Sequence, residues 1–570
     1  MKPSITIRVS ALLIALVLVL SLCACGNSSA SSAAASESAA SETAVTASAA
    51  EIPTEVTEAS TAEEAAAPEA DHSECELPLT DEPTTFSLYY SQPGFFNQYL
   101  DDPSDNECVK YLAEITGVSL DFYVVPAETE SEQFLIMSAA GNLPDLVMNG
   151  SELYSGGGAK AIQDDVVVDL MDYQDVMPHY FSFVNGSSEW NAIFTVNDGE
   201  SVDGVYQINY PDAKAGYGLM IRSDWLDELG LDMPKTYDEY YNVLTAFKND
   251  KDCTAPLLLD PNADNQQWAY GYGCDASISD HVDLIQQFGT IDGEVVYWPT
   301  SDNYRSMLEM LASWYQEGLI DADFYTKTSS NIADEELISG GGTGVWYTSM
   351  TNLPAYYEMF EDESSLAPSY LPTQNGSYEN AYHSSVTLRD HTCLNITTNC
   401  PDPELAAKFL DFFYSDEGSL LATYGVEGYT FEYNDAGEPA FTDLIANSDT
   451  GFGAELVFVL YGMGSFPSVK SPTVFYSDRE LAAKEIWSEI SSEDSIYAGI
   501  SQAVRLTAEE EEDVTAIMGD IVTVVRETTF RIICGESDIS VFDDMVEQAE
   551  SMGIADAIAV YQEKYDAYNA

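Results

Sequence analysis

Basic residues are scarce in this chain: 20 Lys and Arg stand against 97 Asp and Glu, which gives a formal net charge of −77 at pH 7. This charge excludes nucleic acid as a partner, because phosphate backbones bind basic surfaces. It also disfavours phosphorylated and uronic-acid ligands, unless a local basic pocket overrides the field. The five histidines are scattered and no CxxC motif is present. We therefore expect no zinc site and no cofactor.

Cysteine is present in an odd number once the N-terminal Cys23 and Cys25 are set aside, so at least one thiol must stay unpaired. Two pairs are close enough in sequence to bridge in an exported protein, Cys253 with Cys274 and Cys393 with Cys400. Spacing alone does not establish either disulfide.

Long apolar runs are also lacking, apart from Ala11 to Leu22 near a basic N-terminus. That run is typical of a secretory signal and is too short to span a bilayer. It ends in "LCACG" at 22–26, which resembles a bacterial lipobox, where a signal peptidase cuts before the last cysteine and the thiol is diacylated. The sequence thus predicts a signal peptide over 1–24 and lipidation of Cys25. An ordinary signal peptide with incidental cysteines is the alternative.

The next segment, 25–82, is rich in Ala, Ser, Thr and Glu, and we predict a disordered linker there. The remaining body, 83–570, supplies an ample core, since the chain is 45% hydrophobic and 12% aromatic. Its length suggests two lobes. The predicted boundaries are roughly 83–205 and 380–445 for lobe 1, and roughly 215–375 and 450–570 for lobe 2.

Three strand patterns open the body: "TTFSLYYS", then "GVSLDFYVVP" after a helix around Glu107 to Thr116, then "LPDLVMNG". A flexible "YSGGGAKAI" and a strand-like "VVVDL" follow. Strand, helix, strand predicts an α/β sheet, in which ligands collect at the carboxyl ends of the strands.

Helical patterns are clearest farther along. Pro234 is expected to stop a short helix, and Thr236 with Glu239 forms a capping box before the stripe Tyr240, Val243, Leu244, Phe247. A second stripe ends at Gly318 and comprises Tyr304, Met307, Leu308, Leu311, Trp314 and Tyr315. We interpret Trp225 and Trp314 as core residues. "GGGTGVWYTSM" predicts a glycine-rich turn that leads into a strand, and a further helix is expected from Asp402 and Pro403 to near Gly418.

Four phrases then stand out together: those at 220–248 ("MIRSDWLDELGLDMPKTYDEYYNVLTAFK"), 314–324 ("WYQEGLIDADF"), 401–432 and 534–568. In this order and spacing they resemble extracellular solute-binding proteins of ABC importers, specifically the lipoprotein-type oligosaccharide binders of Gram-positive bacteria. The resemblance implies a two-lobed α/β fold of the periplasmic-binding-protein type II, with hinge crossings between the lobes. It also implies a monomeric, non-enzymatic receptor, anchored on the outer face of the cell membrane, that passes a carbohydrate to permease subunits.

One departure concerns calcium. Similar proteins often carry an Asp/Asn/Gly-rich calcium loop after the "LTAFK" phrase, whereas this chain has only Asp250 and Asp252 there, with no glycine. Asp260, Asn262 and Asp264 alternate slightly later but lack the glycine and the distal glutamate, which favours a capped turn. We expect no metal at either place.

A neutral oligosaccharide site needs aromatic platforms together with carboxylates or amides. The candidates lie where strands end or glycines allow close approach, and Trp346 is the foremost of them because it follows "GGGTG". The predicted ligand-binding residues are Tyr89, Tyr90, Phe95, Asn97, Asp145, Asn149, Trp268, Tyr270, Trp298, Trp346, Tyr347, Glu427 and Tyr429. Two have equally good structural roles: Asp145 as a strand cap and Glu427 in a hinge turn.

Rival functions stay open. A secreted glycoside hydrolase needs two carboxylates about 5 to 10 Å apart, but acids are so common here that such pairs are not diagnostic. The chain also lacks a G-x-S-x-G elbow. An adhesive surface lipoprotein would show repeats, which are absent beyond the linker. A peptide or another polar solute is an alternative ligand.

Overall fold

The structure is a computed structural model, and it describes residues 71–92, 102–209, 216–259, 266–275, 284–326, 335–360, 363–383, 389–434, 436–446, 467–470, 478–488 and 495–569. The predicted lipidation site Cys25, the ligand candidates Phe95 and Asn97, and the calcium alternatives at 260–264 lie outside these residues.

The strands are β1 (Thr84–Gln92), β2 (Val118–Pro126), β3 (Leu146–Met148), β4 (Val205–Asn209), β5 (Tyr217–Arg222), β6 (Phe288–Ile291), β7 (Glu294–Tyr297), β8 (Val345–Ser349), β9 (Leu366–Ser369), β10 (Arg389–Ile396), β11 (Phe431–Tyr433), β12 (Pro439–Phe441), β13 (Val469–Lys470) and β14 (Tyr497–Gly499). The α-helices are α1 (Glu107–Thr116), α2 (Glu130–Ala140), α3 (Gly150–Leu153), α4 (Gly157–Gln163), α5 (Pro178–Val184), α6 (Ser188–Phe194), α7 (Ser223–Leu229), α8 (Tyr237–Asp250), α9 (Gln266–Tyr270), α10 (Asp302–Gln316), α11 (Glu335–Ser339), α12 (Leu353–Glu358), α13 (Pro403–Phe412), α14 (Asp416–Tyr424), α15 (Asp443–Ala446), α16 (Asp478–Ser488), α17 (Ala508–Ile533), α18 (Val541–Met552) and α19 (Ile554–Tyr568). Short 3-10 helices cover Pro103–Asp105, Ala127–Thr129, Leu170–Val176, Leu284–Gln287, Trp298–Thr300, Phe324–Thr326, Met350–Asn352 and Glu363–Ser365.

The largest sheet has six strands in the order β13-β4-β10-β3-β1-β2. β1 pairs in parallel with β2 and β3, and β13 in parallel with β4. Only β10 of this sheet is antiparallel to its neighbours β3 and β4. The predicted strand–helix–strand unit is confirmed, because α1 connects β1 to β2. Asn106 caps the start of α1, and Gly117, at φ 76°, ends it.

Three smaller sheets complete the described strands: β8-β5-β9, β14-β6-β7 and the hairpin β11-β12. The glycine-rich turn predicted before a strand is confirmed, since β8 begins directly after it. Sheets and helices together make the mixed α/β fold that the sequence predicts.

Two large hydrophobic cores form separately. The first core includes Phe86, Leu146, Tyr206 and Phe409, and lies around the six-stranded sheet. The second core surrounds the helices of the middle and the C-terminal part of the chain; its members include Tyr240, Leu308, Val514 and Tyr561. A smaller cluster with Trp346 and Trp487 packs on the other face of β5 and β8.

The two predicted helical stripes are confirmed. Thr236 and Glu239 form a reciprocal capping box at the start of α8, and the predicted apolar side chains of that helix are buried. The stripe of α10 is buried as well, except that Tyr315 is only partly covered. Trp225 and Trp314 lie in the second core, as the sequence indicates.

Three predicted elements differ from the structure. "VVVDL" is not a strand: Val167 makes one isolated bridge to Thr397, and the Asp169 side chain caps a 3-10 helix at Leu170–Val176 instead. The helix expected to stop at Pro234 already ends at Leu229, because Gly230 adopts φ 66° and closes it.

The helix expected to run from Asp402 to Gly418 is in fact two helices. Asp402 caps α13 as predicted, but α13 ends at Phe412. The Ser415 hydroxyl then accepts a bond from the Gly418 amide at 3.1 Å and caps α14. Gly418 therefore lies in a first turn rather than at a helix end.

The two suggested disulfides are absent from the structure, where Cys253, Cys274, Cys393 and Cys400 are all thiols. Each of the first three has a hydrogen-bond acceptor of its own nearby; Cys253 Sγ, for example, is 3.1 Å from the Gly342 carbonyl oxygen. Burial raises the pKa of the Cys253 thiol to about 12, which is the behaviour of an inert buried thiol.

An N-terminal segment (residues 71–79) packs on the first core, through apolar side chains that include Leu77 and Leu79. It is held by His179, whose Nδ1 is 2.6 Å from Asp411 Oδ2 and whose Nε2 is 3.1 Å from the Ser73 carbonyl oxygen. Both of these partners are acceptors, so the ring carries both protons and is a cation. Burial alone would lower the pKa of His179, but the bonds to Asp411, Cys75 and Ser73 outweigh it and raise the pKa to about 11.

Candidate functional site

The carboxyl ends of β1, β2 and β3 meet at one edge of the six-stranded sheet, where parallel sheets usually bind ligands. β4 and β10 extend beyond that edge. In the sheet, Leu394 of β10 pairs with the last residue of β3, Met148, on one side and with the first residue of β4, Val205, on the other, so β4 begins where β3 ends. From Asn209 at the end of β4 the chain goes on to Tyr217, the first residue of β5 beside the second core. The chain therefore changes from the first core to the second between these two residues.

Glu130 is the central polar group at the ends of β1 and β3. Its backbone oxygen accepts a bond from the Tyr89 hydroxyl at 2.6 Å, and its Oε1 accepts one from Asn149 Nδ2 at 3.2 Å. Burial raises the pKa of this carboxyl, and the side-chain hydrogen bonds from Asn149 and Ser91 partly offset that effect. Glu130 can thus hold or exchange hydrogen bonds with a hydroxyl-rich ligand. The sequence pattern does not single out Glu130, because it begins a helix among many other acids.

Asn149 and Tyr89 hold this arrangement in place. Asn149 adopts φ 58°, and its Oδ1 accepts a bond from the Cys393 amide at 3.3 Å. The Tyr89 ring is fully buried and stacks on Tyr123, which is 46% exposed, at 6.1 Å between centroids. Of the two rings, only Tyr123 is therefore accessible to solvent.

Asp145, another predicted site residue, joins two strands. Its Oδ2 accepts bonds from the Ser87 amide and the Ser87 hydroxyl, both at 2.8 Å. The carboxylate therefore holds the start of β3 against β1, which is the strand-capping role that the sequence predicts as the alternative to ligand binding.

On the side of the second core, Tyr217 and Tyr347 form a stacked pair with ring centroids 6.0 Å apart and planes 11° from parallel. They come from the paired strands β5 and β8, where Tyr347 lies opposite Leu219. Tyr217 is 53% exposed, so this side of the pair is accessible to solvent. Tyr347 was predicted as a ligand residue. Tyr217 was missed, although its place directly before a strand glycine was a usable signal.

The Trp346 side chain lies on the face of β8 opposite to that of Tyr347, because side chains alternate along a strand. It is 2% exposed and packs against Tyr356 at 5.5 Å between ring centroids, in the same cluster as Trp487. Its indole nitrogen has no hydrogen-bond partner among the described residues. Ligand contact by Trp346 remains a prediction, and it would require this cluster to open.

The other predicted aromatics are also well covered. Trp268, Tyr270 and Trp298 lie in the second core, where Trp268 stands edge-on between Tyr240 and Trp314. Tyr90 lies in the first core. By contrast, in the turn before β11 the Glu427 side chain is exposed and Tyr429 is partly covered.

Arg389 supplies positive charge at the start of β10. Its guanidinium lies 4.2 Å from the centroid of the Tyr206 ring, and its Nη2 is 3.8 Å from Glu152 Oε1. The Tyr206 hydroxyl in turn donates to Asp203 Oδ2 at 2.7 Å. An anionic ligand at this edge would have to compete with these carboxylates for the guanidinium.

Within the described ranges, no group of three or more His, Cys, Asp or Glu side chains is arranged to hold a metal ion. In the same part of the chain, no helix is both long enough and apolar enough to cross a membrane.

Comparison with known proteins places this geometry in context. The family model described as bacterial extracellular solute-binding protein matches residues 92–419. The polygalacturonan/rhamnogalacturonan-binding protein YtcQ of Bacillus subtilis (strain 168) is 22% identical over 490 residues, which cover 82% of this chain and 89% of that protein. The fructooligosaccharide ABC transporter substrate-binding protein FusA of Streptococcus pneumoniae serotype 4 is 25% identical over 510 residues, covering 82% and 88%.

Solved structures show the same fold. FusA in complex with kestose gives a TM-score of 0.69 at 19% identity, covering 85% of this chain and 99% of that one. The alginate-binding protein AlgQ2 without calcium ion gives 0.68 at 22% identity, covering 86% and 99%. These are two-lobed substrate-binding proteins, in agreement with the two cores. The matched profile covers more than half of the sequence, and the chain belongs to the family of bacterial extracellular solute-binding proteins.

Proposed function

We propose that this protein is the lipid-anchored receptor of an ABC importer, that it captures a neutral oligosaccharide between two lobes, and that it delivers the sugar unaltered to membrane permease subunits. Family membership makes it an extracellular solute-binding protein. The names of its relatives, which bind polygalacturonan, fructooligosaccharide and alginate, support a carbohydrate as the solute.

The stacked Tyr217–Tyr347 pair is the observation that carries the proposal. Sugar rings present apolar faces, and a half-exposed tyrosine beside an interlobe crossing offers a flat surface for such a face. In the first-core part of the chain, Glu130 and Asn149 offer the carboxylate and amide that bind sugar hydroxyls. Aromatic platform and polar groups thus come from different cores, as a closing clamp requires.

The charge around the site favours a neutral sugar over a uronic acid. The Arg389 guanidinium is already engaged by Tyr206 and Glu152, and Asp203 lies beside Tyr206. With a net charge of −77 on the whole chain, each carboxylate of a uronic-acid polymer would be repelled.

The remaining parts of the proposal come from the sequence. We assign 1–24 to a lipoprotein signal peptide, Cys25 to the lipidated N-terminus of a Gram-positive surface protein, and the following residues to a linker that keeps a monomeric body near its permease. For the lobes we propose the boundaries roughly 83–205 with 380–445 and roughly 215–375 with 450–570. No catalytic role is assigned to any residue, and the predicted ligand residues not discussed here stay predictions.

The test compares Tyr217→Ala with Tyr433→Ala, a control tyrosine that is 49% exposed on β11. Binding is measured by calorimetry against neutral oligosaccharides, oligogalacturonides and peptides. We expect a neutral sugar to bind, and Tyr217→Ala to raise its Kd at least about fivefold, equivalent to about 1 kcal/mol, while the control stays within twofold.

Other results would contradict the proposal. Equal Kd values for both variants would remove the tyrosine pair from the site. Binding of peptides alone would change the solute class, and a hydrolysed sugar in the recovered sample would favour a glycoside hydrolase.

A further inference from the structure

Glu511 lies where the chain passes from one core to the other. Ala503 belongs to the first core and Val504 to the second, so the crossing falls between these neighbours. Helix α17 begins four residues later, and its Val514 is part of the second core. The first turn of α17 is therefore attached to the second core but stands next to the first.

The Glu511 carboxylate rests on the backbone of α4, which belongs to the first-core part of the chain. Both of its oxygens lie 2.7 Å from the position that a Cβ would take on Gly157, so a larger residue there would displace the carboxylate. At the next residue, Gly158, the Asp203 carboxylate occupies the corresponding place, with Oδ2 1.6 Å from the Cβ position. Two carboxylates, one from each side of the crossing, thus sit on two consecutive glycines.

The charged groups that face Glu511 come from four other places. Glu152 of α3 and Asp203 ahead of β4 carry like charge, while Arg389 of β10 and Arg505 of the crossing carry opposite charge. Burial raises the pKa of Glu511; Arg505 opposes this rise, Glu152 and Asp203 add to it, and Arg389 opposes it. Asp203 is 1% exposed, and its Oδ1 has no partner among the described residues.

The charged groups beside Glu511 form ion pairs with one another. Glu510 closes a capping box with Thr507 and lies 2.9 Å from Lys564 Nζ. Lys564 Nζ also lies 3.3 Å from Asp198 Oδ1, so α19 contacts the first-core part of the chain as well. These groups neutralise one another, whereas the described residues give Glu511 no ion pair, so Arg505 and Arg389 act on it only from a distance.

We propose that the Glu511 carboxyl is a proton-operated contact between the two lobes. When protonated, it stays on Gly157 and holds the start of α17 against α4. When ionised, the carboxylate is repelled by Glu152 and Asp203 and moves away from Gly157 towards Arg505. The contact between α17 and α4 is then weakened. The lobe arrangement is thereby coupled to the pH outside the cell. The consequence for sugar capture rests on the proposed function, whereas the contact itself does not.

The experiment measures hydrogen–deuterium exchange of the full-length protein without ligand at pH 5 and pH 8, after correction for intrinsic exchange rates. Glu511→Gln is compared with the wild type and with Glu512→Gln, a matched control on the neighbouring exposed residue. In the wild type and the control, amides of 157–163 should exchange about tenfold faster at pH 8 than at pH 5, because ionised Glu511 no longer holds α4. In Glu511→Gln the difference should fall below about twofold, because the amide cannot ionise.

A second variant guards against a simple loss of structure. Glu511→Ala removes the carboxyl without straining the backbone of Gly157, whose φ is 70°, and should give fast exchange of these amides at both pH values. A pH response in Glu511→Gln equal to that of the wild type, or none in the wild type, would overturn the proposal. Since no sugar is present, either result leaves the proposed receptor function untouched.

Discussion

Removing the imidazole of His179 tests how the N-terminal segment is attached to the body. Asp411 is 3% exposed and also accepts the Tyr180 amide at 2.8 Å, so His179→Ala leaves a buried carboxylate with backbone donors but no cation. Breaking a buried ion pair in this way costs about 3–5 kcal/mol. The variant should therefore lose that much free energy of unfolding near neutral pH.

The free energy of unfolding lost in His179→Ala should become smaller as pH rises. The pKa of His179 is raised to about 11 in the folded protein, against about 6.5 in an unfolded chain. A raised pKa stabilises the folded state fully below about pH 6.5, and this contribution declines as pH rises towards 11, by up to about 1.4 kcal/mol per unit. The difference between wild type and His179→Ala should thus be largest at pH 6 and shrink by pH 9.

Urea unfolding followed by both tryptophan fluorescence and circular dichroism measures these energies, and coincidence of the two curves shows whether one transition is present. His72→Ala is the matched control: His72 lies in the same segment, 3.0 Å from Asp416, but its side chain is 70% exposed. Its replacement should cost less than about 1 kcal/mol. A destabilisation by His179→Ala that equals the control, or that grows with pH, would refute the cationic histidine.

Three further predictions follow from other parts of the chain. Trp346→Ala should cost roughly 3–5 kcal/mol in urea unfolding, because it empties a large buried volume; a stable variant with weakened sugar binding would instead make Trp346 a ligand residue. Gly519→Ala should stabilise the protein by about 0.5–1 kcal/mol, since Gly519 lies within α17 and, apart from its chain neighbours and the backbone of its own helix, no atom lies within 4 Å of the Cβ position; a loss of stability would show an overlooked contact. Cys25→Ser should release the protein into the medium, as read by immunoblotting of cell and medium fractions, and continued membrane association would count against lipidation.

Local patterns predicted much of the fold. The bounds of α1 matched because Asn106 and Gly117 mark both ends in the sequence, and the capping box of Thr236 and Glu239 located α8. Where prediction failed, a small side chain had redirected the backbone: Gly230 ended a helix ahead of the more conspicuous Pro234. Such choices depend on which of several plausible caps the tertiary structure uses.

The site was harder to predict, because strand alternation decides which aromatic faces outward. Trp346 and Tyr347 are neighbours in sequence, yet one is buried in a cluster and the other stacks on a half-exposed ring. The glycines ahead of them fitted both outcomes. The partner ring, Tyr217, lies far away in sequence, and only the pairing of β5 with β8 brings the two together.

The central claim is that this protein binds a sugar and releases it unchanged, and one measurement tests it most directly. Thermal unfolding of the purified protein is recorded across a concentration series of each neutral oligosaccharide, and the sugar is then recovered for mass spectrometry. The account predicts stabilisation that grows as RT ln(1 + [L]/Kd) for at least one neutral oligosaccharide, with its mass unaltered. Stabilisation by no sugar at any concentration, or recovery of a cleaved product, would contradict it.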